Sequence, residues 1–396
     1  MKNILKSTED SCTGCSLCSL ICPQKAISIS LTTKGFYEPN VDENKCTSCG
    51  LCRKVCYKFI TPENEYDIEK AIPFLVYSKD KDIRKKSSSG GAGREIANYG
   101  LLNDYLVCGV KYNYELDRAE HVIIDRQEEL DLITGSKYIQ SLTTGAFDKI
   151  DNKKKYVIFG TPCQMYGLRK YIQLNGIEDN FILVDFFCHG VPSYKLWDKY
   201  LVYLKDEYKI SNITSLNFRD KTYGWHDFSM KISGDNNYTK TLNEDLYLKF
   251  FLSNLNLNES CYNCKLRFNK IYSDIRLGDF WGPMRSADEK GSSIVLSNTD
   301  KGFKLLESIK EKIHLEEVSF EELKISQYST GIHKPELFDR FNADLEMDYS
   351  LKKLHFRYMV KPEFIQKSKS IPKRVVRKLL PKKIKKYIKE KFKSED

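Results

Sequence analysis

Residues 11–23 read SCTGCSLCSLICP and residues 46–56 read CTSCGLCRKVC. Each run holds three cysteines at x2 spacing and a fourth after three more residues. Thiolate is a soft ligand that suits iron–sulfur clusters or zinc. Zinc ribbons use C-x2-C pairs set well apart, and neither run has that form. Three closely spaced thiolates cap three irons of a cubane, and the fourth iron takes its ligand from the other run. The spacing therefore assigns Cys12, Cys15, Cys18 and Cys56 to one 4Fe-4S cluster, and Cys46, Cys49, Cys52 and Cys22 to a second. Gly14 and Gly50 permit tight backbone around them. Pro23 closes the first run, whereas Tyr57 stands after the second.

Residues 1–62 thus resemble a two-cluster, bacterial-type ferredoxin domain, whose task is one-electron transfer. The 396-residue chain leaves room for one or two further domains. With 13 cysteines, no apolar run of membrane-spanning length and a polar start, the reading is of a cytoplasmic protein whose thiols bind metal rather than each other. The net charge of +10 sits mainly in residues 371–396, with eleven Lys/Arg against three Asp/Glu. The rest is nearly neutral, which argues against a nucleic-acid partner.

After a linker, AIPFLVYS (71–78) reads as a strand, so residues 63–84 are taken as linker and first strand. The loop KKSSSGG (85–91) leads into a helix, and such a loop can offer backbone N–H groups to a phosphate. KYVIFG (155–160) and NFILVDFFC (180–188) are apolar strands, each followed by a helix: TPCQMYGLRKYI (161–172) and PSYKLWDKYLVYLKDEY (192–208). Two such units predict a parallel sheet covered on both faces, with ligands beyond the strands' carboxyl ends. Cys163 and Cys188 fall at that rim. Downstream, ESCYNCKLRF (259–268) spaces Cys261 and Cys264 as a zinc half-site, a redox dithiol, two unrelated thiols, or the remaining half of a third cluster with Cys163 and Cys188. Cys108, in an apolar run, reads as a core residue.

GTPCQMYGLRKYI, VDFFCHGVPS, ESCYNCKLRF and DIRLGDFWG, in that order, with SSSGG and GSKYIQS (135–141), resemble the beta subunit of coenzyme F-420 hydrogenase and dehydrogenase. The resemblance implies an α/β flavin-binding body over residues 85–345, with FAD beside a third 4Fe-4S cluster on Cys163, Cys188, Cys261 and Cys264. It makes Ser87, Ser88, Ser89, Gly90 and Gly91 FAD phosphate contacts. Ser136, Lys137, Tyr138 and Ser141 become flavin neighbours, and Thr161 and Pro162 further cofactor contacts. Lys137 would place positive charge near a reduced flavin. His189, next to Cys188, would orient a flavin edge, relay a proton or hydrogen-bond the cluster rim. Asp279, Phe280 and Trp281 line the pocket or serve structure.

The expected fold is therefore a mixed α+β and α/β chain: the ferredoxin domain, the flavin body with its parallel sheet, and a basic tail over 346–396. In the tail Ile384, Ile388 and Phe392 form a stripe on a basic helix suited to an anionic membrane surface at the inner face of the membrane. The expected function is an oxidoreductase passing electrons between ferredoxin-type clusters and FAD, with hydride exchange to an organic substrate or deazaflavin. A flavin fits between them because it handles both electron pairs and single electrons. The alternatives are an electron-transfer subunit feeding a partner enzyme, or a membrane-associated accessory protein with structural clusters. The expected partner is a ferredoxin-type redox protein or a substrate enzyme; the sequence leaves the oligomeric state open.

Overall fold

In the computed structural model, described over residues 4, 12–59, 67–267, 270–327 and 332–360, each of the two cysteine runs wraps into a loop and then one helical turn. The turns, Leu17–Leu20 and Leu51–Lys54, start after left-handed residues, Ser16 and Gly50. Between them the strands β1 (Ile27–Leu31) and β2 (Tyr37–Val41) pair antiparallel.

The apolar runs of the body become strands because they can be buried on both faces. In chain order they are β3 (Ile72–Ser78), β4 (Tyr105–Asn113), β5 (Arg118–Ile124), β6 (Ser141–Leu142), β7 (Lys155–Phe159) and β8 (Phe181–Phe186). There follow β9 (Ile213–Asp220), β10 (Ser229–Gly234), β11 (Tyr238–Thr241), β12 (Ile275–Asp279), β13 (Ser293–Ser297) and β14 (Ile313–Glu317). Nine of them form one sheet in the order β14-β3-β13-β12-β8-β7-β4-β5-β6. The expected parallel sheet needs correction. Its centre, β12-β8-β7-β4, is parallel, as is the edge pair β5-β6. β13, β3 and β14 extend it antiparallel on one side, and β5 pairs antiparallel with β4 on the other. Sequential apolar runs report local units; they do not report that β3 is inserted between two strands that come more than 200 residues later.

Alternate residues along β7 and β8 serve different cores, as the strand period of two requires. Val157, Ile182 and Val184 pack with Ala92, Ile96 and Leu305 on one face. Ile158 and Leu183 pack with Met165, Leu168 and Ile172 on the other, where the ferredoxin residues Leu17 and Val55 join the same core. Cys108 lies in that core. A separate sheet, β11-β10-β9, covers an aromatic cluster around the helix Tyr194–Tyr208. There the buried Asp245 accepts from Tyr200 (2.6 Å) and Tyr238 (2.7 Å). The helix Leu351–Met359 packs on the body with Leu351 and Leu354 buried, so the body's packing runs past residue 345. The tail stripe of Ile384, Ile388 and Phe392 lies outside the described residues. Among the described residues no helix is long and apolar enough to cross a membrane.

Candidate functional site

The ferredoxin thiols gather as two groups. Cys12, Cys15, Cys18 and Cys56 lie close enough that each one's charge is felt by others: burial, then the neighbouring thiols, pushes Cys12 up to about 11 and Cys56 up to about 12. Cys22, Cys46, Cys49 and Cys52 line one pocket with Thr47, Ser48 and Gly50. Backbone N–H groups point at sulfur, Gly14 to Cys12 (3.3 Å) and Ala26 to Cys22 (3.4 Å). All of these cysteines are free of disulfides. Among the described residues no three His, Cys, Asp or Glu side chains close around a single metal ion. A cubane asks for something different, because its ligands stand apart across four irons. Thiols gathered in fours, with N–H donors to sulfur, fit such clusters.

A third group forms in the body. Thr161 and Gln164 cap the helix Pro162–Asn175, which presents Cys163 in its first turn. Cys188 stands two residues past β8. Cys261 and Cys264 sit on a loop held from behind by a buried arginine: Arg276, paired with Asp185 through two 2.7 Å bonds, donates to the carbonyls of Leu266, Arg267 and Lys270. The four thiols are mutually close. Burial, then Cys261, pushes Cys188 up to about 12, and burial pushes Cys261 up to about 11 with Cys264 adding to it. Cys163 is raised by burial, then by Cys15 of the ferredoxin domain, then by Cys264 and Cys188. The groups adjoin: the turn Leu17–Leu20 meets Leu51–Lys54 on one side and the helix Pro162–Asn175 on the other, so that Cys18 feels Cys52 and Cys163 feels Cys15.

The junction is made by backbone as much as by side chains. Asn258 donates to the Cys12 carbonyl (2.9 Å), Gln140 to the Thr13 carbonyl (3.2 Å) and Thr143 to the Cys15 carbonyl (3.3 Å). Gly167 lets helix Pro162–Asn175 approach: a Cβ there would lie 2.8 Å from Leu17 Cγ. Tyr57, the departure from proline, has a structural reason. It is buried against Tyr166, which meets Tyr272 edge-on, beside Cys163 and Cys264.

The expected flavin residues divide into two sets. The first is joined: Ser88 Oγ accepts from the Ser136 N–H (2.8 Å), Ser89 Oγ donates to the Ser292 carbonyl (2.7 Å) and Gly90 N–H donates to Ser293 Oγ (3.0 Å). Ser87 is buried with an unpartnered hydroxyl, and Gly91 begins the helix Ala92–Leu102. Lys137 Nζ donates to the carbonyls of Thr134 (2.9 Å) and Gly135 (3.1 Å), and burial pushes it down to about 7. Tyr138 stacks on Phe251 at 4.6 Å. The second set lies by the third thiol group: Thr161 Oγ1 is 3.1 Å from Cys163 Sγ, Pro162 opens the helix, and Ser141 Oγ meets Gln164 Nε2 at 3.4 Å. His189 links the two. Its ring lies 4.8 Å from Phe251, its Nε2 is buried without a partner, and burial, then Arg267, keeps its pKa low.

Sequence reasoning missed Arg219, Lys221 and Trp225. They lie in NFRDKTYGW, which contains no motif. Arg219 is 4% exposed and bonds Asp279 at 2.6 Å, while its Nε and Nη2 are unpartnered. Lys221 Nζ donates to the carbonyls of Ser89 (2.6 Å), Lys290 (2.7 Å) and Arg84 (2.8 Å). Trp225 stacks on Trp281 at 4.3 Å, with its own Nε1 buried and unpartnered. Orphaned buried donors around a serine–glycine loop fit an anionic, aromatic cofactor such as a flavin dinucleotide.

Two models of one family match this chain: the coenzyme F420 hydrogenase/dehydrogenase beta subunit N-terminal part at residues 74–147 and its C-terminal part at residues 153–322, together more than half of the chain. A 4Fe-4S dicluster domain model matches residues 11–60. Among solved structures, a chain of the F420-reducing [NiFe] hydrogenase complex from Methanosarcina barkeri aligns at 16% identity and a TM-score of 0.45, covering 80% of this chain and 97% of that one. No curated protein matches.

Proposed function

The chain belongs to the coenzyme F420 hydrogenase/dehydrogenase beta-subunit family and carries a 4Fe-4S dicluster domain, and from that premise we propose that it is an iron–sulfur flavoprotein oxidoreductase. Two ferredoxin clusters, on Cys46/Cys49/Cys52/Cys22 and on Cys12/Cys15/Cys18/Cys56, lead to a third on Cys163, Cys188, Cys261 and Cys264. FAD is held beside the third by Ser87–Gly91 and Ser136–Tyr138. When bound, the flavin supplies the exchange between hydride and single electrons; the chain's residues hold it, exclude water and set the local charge. The organic substrate or deazaflavin comes to the flavin, and a redox partner meets the ferredoxin end.

The observation that carries this reading is the packing of the Cys15 loop on the helix that presents Cys163: Leu17 meets Gly167, and Leu17, Val55 and Cys15 share a core with Met165 and Leu168. It joins the ferredoxin thiols to the body at the point where His189, Phe251 and Tyr138 lead toward the serine–glycine loop. A scaffold role needs neither this adjacency nor the orphaned donors. Iron, sulfide and flavin should be quantified per chain after anaerobic purification. Twelve irons and one FAD are expected; eight irons without flavin would leave the ferredoxin domain and remove the flavoenzyme.

A further inference from the structure

A buried arginine in a folded protein normally has its fork satisfied, because its five N–H donors are expensive to leave unmade. Arg219 departs from that. It is 4% exposed, and Nη1 is spent on Asp279 at 2.6 Å. Nε and Nη2 have no acceptor. The guanidinium is fixed, with the Phe228 ring 4.6 Å and the Trp281 ring 5.4 Å from its carbon. An arginine anchored at one corner and flanked by aromatics is a preorganised fork.

Its surroundings close a ring of contacts. The Tyr138 hydroxyl lies close enough to interact with both the Arg219 guanidinium and Ser136, without closing a full hydrogen bond to Arg219 Nε or Nη2. Ser136 N–H reaches Ser88 Oγ. Ser89, the next residue of that loop, accepts from Lys221 through its carbonyl. Lys221 lies two residues beyond Arg219 at the end of β9 and is close enough to feel its charge. Around this ring are two more orphaned groups, Ser87 Oγ and Trp225 Nε1. Lys221 Nζ bonds three backbone carbonyls, and Asp279 is the carboxylate that holds Arg219. The free Nε and Nη2 donors are those that a two-oxygen anion takes.

We propose that Arg219, supported by Lys221, is an anion-binding site that takes a phosphate or carboxylate oxygen pair on its Nε/Nη2 edge. The parent of that anion rests on the flavin reading: it is either the dinucleotide's phosphate or the acid group of an organic substrate lying against the flavin. The site itself does not depend on that reading. Arg219→Lys keeps the charge and the pairing with Asp279 but loses the fork, so it separates recognition from folding.

Inorganic pyrophosphate is the probe, titrated into the full chain by calorimetry with and without saturating FAD. FAD and riboflavin affinities are measured alongside, and melting temperature and iron content report the fold. If the anion belongs to the dinucleotide, pyrophosphate binds only without FAD. Arg219→Lys then weakens both pyrophosphate and FAD by about tenfold or more, the scale of a lost charged hydrogen bond, and leaves riboflavin unchanged. If it belongs to a substrate, pyrophosphate binds the FAD-loaded chain, and Arg219→Lys weakens it without changing FAD affinity. Absence of millimolar pyrophosphate binding in both states, or equal binding by wild type and variant, overturns the site. A wild type that takes no FAD but loses pyrophosphate in the variant overturns the flavin reading and leaves the site standing. Should Arg219→Lys fail to fold, Arg219→Gln with Asp279→Asn removes the pair together and is read the same way.

Discussion

His121 shows what burial does to one titratable side chain. On β5 it is 2% exposed, its Nε2 sits 3.1 Å from the Phe159 carbonyl, and its ring packs on Phe147. Burial pushes it down to about 4 from an ordinary 6.5. The folded value is below the unfolded one, so the stability from keeping it neutral is complete above pH 6.5. It is lost progressively as the pH falls from 6.5 toward 4. Between pH 7.5 and 5.5 wild type should lose about 1 kcal/mol that a His121→Gln variant retains. Urea midpoints of the two proteins across that range check this; parallel curves would remove the claim. At this scale the sequence was most informative where chemistry dictates spacing. Eight cysteines announce themselves because a cubane fixes the interval between its ligands. Arg219 does not, because its partner Asp279 lies sixty residues away and no local interval records that pairing. Tyr57 was visible only as a departure, and its meaning needed Tyr166.

Elements carry the docking of the two domains. The ferredoxin turn Leu17–Leu20 lies on helix Pro162–Asn175 at Gly167, and Tyr57 inserts beside Tyr166. A side chain at 167 must displace Leu17 or the Val55 carbonyl, 3.0 Å from the added Cβ. Gly167→Val should therefore cost about 1–3 kcal/mol by overpacking. Tyr57→Ala should cost about 3 kcal/mol by cavity formation. Both changes act at the junction, so differential scanning calorimetry should resolve a single transition into two, with ferredoxin iron retained. A single transition shifted as a whole would mean that the contacts support one cooperative core instead. The β7 and β8 units were legible from their apolar runs, because each is a local strand–helix repeat. The antiparallel flank of β13, β3 and β14 was not, since period-two burial says a strand is covered and not which strand lies beside it.

Across the whole molecule the three thiol groups adjoin one after another, with the half-buried body group at one end and the exposed Cys49 at the other. Cys163 is surrounded by body and ferredoxin residues, so Cys163→Ser should lower iron from about twelve to about eight per chain and leave the ferredoxin absorbance. Loss of all the iron would show that the groups assemble together and not independently.

The outer end sets the partner's chemistry. Cys49 is exposed, and Lys25 and Lys45 near its group are exposed as well. Residues 12–59 carry six Lys/Arg and three Asp/Glu. Lys45 is shared with Asp42 at 3.3 Å, which leaves the net positive charge of residues 12–59 to act; if an acidic electron carrier docks at this end, that charge draws it toward Cys49. Such attraction acts on the encounter rate and is screened over about 8–10 Å at physiological salt. The rate of reduction by an acidic carrier protein should therefore fall steeply as ionic strength rises. Lys25→Glu with Lys45→Glu should slow it about tenfold at low salt. An uncharged small-molecule reductant should reduce variant and wild type at equal rates. That control separates lost docking from a damaged cluster. Stopped-flow absorbance of the clusters gives both rates. A salt-independent rate with the acidic carrier would place electron entry elsewhere on the surface and reverse the direction in which the thiol groups are read.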